Sequence, residues 1–228
     1  MALPRITEKI LIRIEVHVDT LCPWCYIEKR SLDAAMRQFQ DRHPGVEFEV
    51  LWRPFYLYPM LDAGCDKASF YEGHAKNNAS PALQDKIRAA GTRHDITFRL
   101  SSGATGPSRN SHKLIALALQ QRDPAAQARV VEHLFRGHFE QGRDLTDDDW
   151  LVGVGCEAAG LEAEDVRRAL ASDLAGLSVD DEVRCASVER GVRAVPCVTM
   201  QGRYRVGGYQ EQGVFENLFD KILKNGGS

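Results

Sequence analysis

The segment Ile10 to Val18, ILIRIEVHV, alternates large apolar with charged or polar residues over most of its length. With its β-branched content, that period of two predicts a strand. The period then changes. Tyr26, Ile27, Leu32, Ala35, Met36 and Phe39 form an apolar stripe at helical spacing, running to about Gln40. Pro23 suits the first helical position, where a missing N–H costs nothing, and Cys22 falls at the N-cap. His43-Pro44-Gly45 stops the helix. Val46 to Trp52, VEFEVLW, alternates again. The first 55 residues therefore spell β-α-β, with a CPWC sequence at the strand-to-helix turn.

From about Ser69 to Arg190 the pattern is helical. It predicts helices over Ser69–Asn78, Pro81–His94, Arg109–Gln121, Pro124–Glu140, Asp147–Ala159, Glu162–Ala171 and Asp173–Arg190. Breaks fall at Gly103–Pro107, Asp123-Pro124, Gly142–Asp144 and Gly160. The acidic run Thr146 to Asp149 reads as a helix start before Trp150. Strands return at Val198–Met200 and Tyr204–Val206, joined as a hairpin by Gln201-Gly202-Arg203. An amphipathic helix over Glu211–Lys224 closes the chain. The expected fold is α/β. Its core comes from residues 1–60 and 190–228, interrupted by an all-helical insertion at 61–189.

Composition narrows the function. The 228 residues are 43% hydrophobic and 27% charged, with a net charge of −3, the balance of a globular protein. That charge suggests neither a nucleic-acid binder nor a basic membrane-surface protein. The N-terminal apolar run is broken by Pro4, Arg5, Glu8, Lys9 and Arg13, so it is not read as a secretory signal. No stretch approaches the roughly 20 apolar residues of a membrane helix. The expected location is the cytoplasm, where thiols stay reduced. The six cysteines are then not expected to form a disulfide framework, and the sequon Asn78-Ala79-Ser80 reads as a chance match.

Cys22 and Cys25 admit several readings. Zinc would need a second ligand pair, and no second CxxC exists; His133 and His138 lie far down the chain in a helical pattern. A structural disulfide across two residues closes a tiny loop and stabilises little. Two ordinary core cysteines remain the bland alternative. The redox reading has a mechanism. Unpaired N–H groups and the positive end of the helix dipole favour a thiolate at the N-cap. Cys22 meets that field most directly, so it should attack. Cys25, one turn inside and better shielded, should resolve the mixed disulfide. Pro23 stiffens the turn, and Trp24 offers a flat apolar surface near the sulfur. No metal is expected.

Six stretches carry a wider resemblance: CPWCYIEKR (22–30), WRPFYLYP (52–59), SHKLIALA (111–118), GRDLTD (142–147), GVRAVPCVTM (191–200) and YRVGGYQ (204–210). With these the chain resembles the DsbA-like thioredoxin family, in the FrnE-like branch related to 2-hydroxychromene-2-carboxylate isomerases. The resemblance implies a thioredoxin-like core with a helical insertion, and thiol–disulfide chemistry at the retained dithiol. It implies Cys22 as nucleophile, Cys25 as resolving thiol and Pro196 as a cis-proline. The Val195 backbone would then pair with a bound thiol or peptide. The start of the helix at Asn110 to Leu114 would face the site, which makes Asn110 and His112, with Pro23 and Trp24, substrate-binding candidates. The partner would be a disulfide- or thiol-bearing protein or small molecule. Related isomerases use glutathione, so glutathione is admitted here but not required. An alternative function is thiol- or glutathione-assisted isomerisation of a small unsaturated metabolite, by family association in a natural-product pathway. A non-catalytic binding module is a third. Exposed apolar surface on the insertion would allow a homodimer.

Several positions depart from the family pattern. Glu28 replaces a usual glycine and is expected to add a negative charge within two turns of the thiolate. The buried acid that thioredoxins carry six residues before the first cysteine is Val16 here. Asp19 is the nearby acid, read as a surface or capping residue with a catalytic role as the alternative. Pro107 stands where an asparagine is usual. Cys197 should turn away from the site into the core, and Cys65, Cys156 and Cys185 read as packing residues. His17 and His112 are candidate proton donors or structural histidines.

Overall fold

The computed structural model describes residues 9–78 and 81–225; the first eight residues, and two residues of the Asn78-Ala79-Ser80 sequon, lie outside them. The first strand, β1 (Ile10–Val18), leads into helix α1 (Pro23–Arg42) and strand β2 (Val46–Pro54). Strands β5 (Cys197–Met200) and β6 (Tyr204–Gly207) and helix α9 (Gln212–Lys224) come from the other end of the chain. These strands make one sheet in the order β2-β1-β5-β6. β1 pairs parallel to β2 and antiparallel to β5, with Val16 opposite Trp52 on one side and Val198 on the other. The parallel pair is what a β-α-β crossover requires. Ile12, Ile14, Val16 and Val18 are all at most 1% exposed, which sets the register by placing every second side chain of β1 in the core. α1 and α9 meet through Phe39 and Phe219, whose rings are 5.2 Å apart, with Phe48 of β2 packed 4.7 Å from Phe219.

The intervening chain is mainly helical: α2 (Lys67–Asn78), α3 (Pro81–Thr92), α4 (Arg109–Gln121), α5 (Pro124–Glu140), α6 (Asp148–Ala159), α7 (Ala163–Ala171) and α8 (Asp173–Val188). Its stops and starts are local. Asp123 caps α5 by accepting from Ala126 N–H at 2.7 Å, with Pro124 at the first position. Asp147 does the same for α6 with Trp150 N–H at 3.0 Å, and Gly160 ends that helix at φ 62°. The insertion is not helical throughout. Two-residue strands β3 (Cys65–Asp66) and β4 (Ala104–Thr105) pair antiparallel. A ladder this short has no period for a sequence pattern to reveal.

The helical block and the sheet share one apolar core. Tyr26 of α1 stacks on Phe135 and Phe139 of α5 at 5.3 and 6.0 Å. α5 also covers the free edge of β2. The Gln127 side chain accepts from Trp52 N–H at 2.9 Å and donates to Trp52 C=O at 3.0 Å, so the strand edge is satisfied by an amide.

Candidate active site

Cys22 occupies the N-cap of α1 with extended backbone (φ −94°, ψ 110°), and Pro23 follows at the first helical turn. The Cys22 carbonyl accepts from Cys25 N–H at 3.0 Å, and Cys22 N–H donates to the Asp19 carbonyl at 2.9 Å. Cys22 is 4% exposed and Cys25 is fully buried. Burial holds the Cys25 thiol well above the ordinary thiol range, with the hydrogen bond to Cys22 and the charge of Cys22 adding to it. All six cysteines are free thiols.

The second wall comes from the far end of the chain. The Val195–Pro196 peptide is cis, and the Cys22 thiol lies 3.8 Å from the Val195 carbonyl, to which it donates. Gly208 N–H donates to the Pro196 carbonyl at 2.8 Å, tying the loop to the exit of β6. Just beyond, the Tyr209 ring stacks on Trp24 at 5.6 Å. Together they form an aromatic wall that starts inside the CPWC motif at Trp24.

The polar residues around the motif act as clasps. Asp19 is buried completely, which corrects its reading as a surface residue. The reason is a pair of backbone donors: the β1–α1 turn and the chain leaving β2 each present an N–H to it. The Asp19 carboxylate accepts from Leu21 N–H at 3.0 Å and from Leu57 N–H at 2.7 Å. Burial outweighs these bonds and lifts its pKa to about 6. Thr20 and Ser111 hydroxyls lie 2.7 Å apart, and Ser111 donates to the Ser108 carbonyl at 2.7 Å, so Thr20 donates to Ser111. Tyr71 donates to the Leu21 carbonyl at 2.9 Å.

Glu28 is also fully buried. It accepts from Gln210 N–H at 2.8 Å, while Ser31 donates to the Gln210 carbonyl at 2.9 Å. Both groups of this one peptide position are held, and they fix the strap that carries Tyr209. Burial raises the Glu28 carboxyl to about 8. The expected negative charge near the thiolate is therefore corrected: near pH 7 the group mostly keeps its proton.

Of the sequence-derived candidates, Cys22, Pro23, Trp24, Cys25, Val195 and Pro196 come together. Asn110 and His112 stand to one side. Asn110 donates to Asp148 at 3.0 Å. His112 is 2% exposed, donates to the Phe55 backbone and leaves Nε2 without a partner. Their neighbour Ser111 is the α4 residue that meets the motif turn. Burial pushes both His112 and His17 down to about 4, so near neutral pH both are neutral imidazoles and neither carries the second, acidic proton of an imidazolium. Cys197 lies buried on β5 opposite His17, in the apolar core. Among the described residues, no three His, Cys, Asp or Glu side chains group as a metal site. Tyr209 and Ser31 escaped the sequence reading, because nothing in a lone tyrosine or serine says which distant group it meets, and Ser111 is not singled out within the segment 110–114 expected at the site.

The DSBA-like thioredoxin domain family matches residues 13–220. Among solved structures, the chain is similar to a probable DsbA oxidoreductase from Streptomyces coelicolor. Identity there is 28%, coverage 93% of this chain and 90% of that one, and TM-score 0.75. A 2-hydroxychromene-2-carboxylate isomerase shares the fold at 15% identity, 94% and 97% coverage and TM-score 0.70. So does the cytosolic disulfide reductase DsbM from Pseudomonas aeruginosa, at 16% identity, 93% and 98% coverage and TM-score 0.58. None of the curated proteins compared matches the chain. A match of this extent places the chain in the DSBA-like thioredoxin domain family.

Proposed function

We propose that the protein is a thiol–disulfide oxidoreductase in which Cys22 is the nucleophile and Cys25 the resolving thiol. The observation that carries this reading is the position of Cys22 Sγ at the N-cap of α1, 3.8 Å from the Val195 carbonyl, with Cys25 buried one turn behind it. Cys22 thiolate attacks one sulfur of a substrate disulfide. A Cys22–substrate disulfide forms, and the first substrate sulfur leaves and takes a proton. Cys25 then loses its proton and attacks Cys22 Sγ. The second substrate thiol leaves, and the Cys22–Cys25 disulfide holds the two electrons' worth of oxidation. The reverse sequence oxidises a substrate dithiol. Burial makes deprotonation of Cys25 the demanding step.

Substrate lies against Val195, Pro196 and the Trp24–Tyr209 wall. No cofactor is required, and glutathione is admitted as a small thiol partner. The proposed setting is the cytoplasm; among the described residues no helix is long and apolar enough to cross a membrane. The same aromatic wall favours a second reading, isomerisation of a flat unsaturated metabolite by reversible thiol addition at Cys22 or through glutathione.

Cys25→Ser separates the two. Under the first reading it abolishes catalytic turnover in insulin reduction and accumulates a Cys22 mixed disulfide visible by mass spectrometry. An isomerase retains turnover in that variant. Alkylation of Cys22 followed against pH tests the step common to both, and an inert Cys22 sinks both.

A further inference from the structure

The sheet is open along part of its β2 edge. In the parallel pair β1–β2, every second residue of β2 turns its N–H and C=O away from β1. Trp52 fixes which residues these are, because both of its backbone groups go to Gln127. By the same period Val50, Phe48 and Val46 point outward. Val46 is held as Trp52 is. Its N–H donates to the His43 carbonyl at 2.9 Å, and its carbonyl accepts from Gln40 Nε2 at 3.3 Å. Between these two clamped ends, the N–H and C=O of Phe48 and Val50 have no partner among the described residues. The chain thus closes its own edge at both ends and leaves two rungs of the ladder between them.

A second feature lies beside this gap. A groove of about 240 Å³ runs between β2 and a stripe of α1, with Phe48 and Val50 on one side and Asp33, Met36 and Arg37 on the other. An extended backbone supplies N–H and C=O groups at the spacing of the two open rungs. Laid along them, it sends alternate side chains to opposite faces of the sheet. Those beside Phe48 and Val50 enter the groove against Met36, which suits apolar residues. Those in between lie on the other face next to Glu47 and Glu49, whose side chains are 51% and 39% exposed, which suits basic ones. Lys9 and Arg13 approach these two acids from the β1 side, opposite to the gap. A second copy of the chain fits less well. Two such edges use all four groups antiparallel only with Phe48 facing Val50. That register sets the two Glu49 carboxylates directly opposite each other, which is destabilising.

We propose that the open part of β2 is a peptide-docking edge, separate from the dithiol, which takes up an extended segment of alternating apolar and basic residues as an outer strand of the sheet. Binding is by backbone hydrogen bonds and needs no redox step.

The test uses the full chain, ¹H–¹⁵N NMR and three probes. The first is acetyl-Lys-Val-Lys-Val-Lys-Val-Lys-amide, the second the same peptide N-methylated at its valines, and the third the same peptide with glutamate for lysine. The first is expected to give saturable shifts at the amides of residues 48 and 50 and to protect both from hydrogen exchange. N-methylation should weaken binding about tenfold or more, as loss of two backbone bonds does. The glutamate peptide should bind about threefold or more weaker. Val50→Pro removes one outward N–H at an edge position, where proline is tolerated, and should weaken the lysine peptide about fivefold. Circular dichroism checks the fold of that variant, and the N-methylated peptide makes the same test on the parent. The probes carry no sulfur, so the result is independent of the thiol chemistry. The proposal is overturned by the absence of saturable shifts at residues 48 and 50, or by equal binding of either control peptide. It is also overturned by a parent that sediments as a dimer which Val50→Pro dissociates, because a second copy would then hold the edge.

Discussion

Glu28→Gln isolates what a buried carboxyl does beside the CPWC motif. The replacement keeps the side chain's size and its acceptor for Gln210 N–H, but removes the ionisation. In the folded protein Glu28 titrates at about 8 because it is buried. In the unfolded chain it titrates near the ordinary value of about 4.3. Between those two values the folded state keeps a proton that the unfolded state has released. Stability from this group is therefore full below the unfolded pKa, falls as pH rises, and levels off above the folded pKa. Each pH unit in that window costs about 1.4 kcal/mol. From pH 6 to pH 8 the parent should thus lose about 2–3 kcal/mol that Glu28→Gln does not. Urea unfolding of both proteins under reducing conditions at pH 6, 7, 8 and 9 reads this directly. Taking the difference removes titrations common to both, the thiols included. A parent-minus-variant difference that stays flat across pH 6 to 9 would refute the reasoning, because Glu28 would then be ionised in the fold at a normal pKa. A difference that rises with pH would mean that the carboxylate is stabilised by a charge the structure does not place there.

Other expected outcomes follow from single contacts. Gln127→Ala should cost about 1–3 kcal/mol in chemical unfolding, since it strands the Trp52 N–H and carbonyl at the covered edge of β2. In Gly137→Ala the new Cβ would lie 2.2 Å from Trp150 Cζ2, so a loss of about 1–3 kcal/mol is expected. Trp150→Phe in the same background should recover part of that loss in thermal unfolding. His17 and His112 should remain neutral at pH 5.5 in ¹⁵N NMR, both being held at about 4 by burial. Because the unfolded chain protonates first, each makes stability fall as pH drops from about 6.5 toward 4, by up to about 3 kcal/mol.

Most of the architecture could be read in the sequence because its signals are local. The switch from period two to helical spacing at Cys22-Pro23, the Asp123-Pro124 start and the Gly160 stop each depend on residues within one turn. The observed α4 and α5 begin and end where the pattern placed them. What could not be read is long-range and polar. Asp19 is buried by an N–H 38 positions away, and Glu28 by one 182 positions away. A carboxylate in a sequence looks the same whether it will be solvated or enclosed. The same holds for His112, whose place at the start of α4 suggested a role at the dithiol. The helix rotation instead turns Ser111 toward Thr20 and His112 toward Phe55.

This division has a chemical consequence. CPWC decides which sulfur sits at the helix tip and which lies beneath it, and it does so from four consecutive residues. It does not decide what faces that tip. The Val195 carbonyl and the Tyr209 ring arrive from beyond the insertion, and separate backbone clasps hold the elements around them. Asp19 ties the motif turn to the chain leaving β2, Thr20–Ser111 ties it to α4, and Glu28 with Ser31 ties α1 to the strap after β6. Loosening one clasp should therefore shift the walls of the site while leaving Cys22 at its N-cap. Under the proposed function, which molecules are accepted can then vary through residues such as Ser31 and Ser111, while the sulfur chemistry stays with the motif.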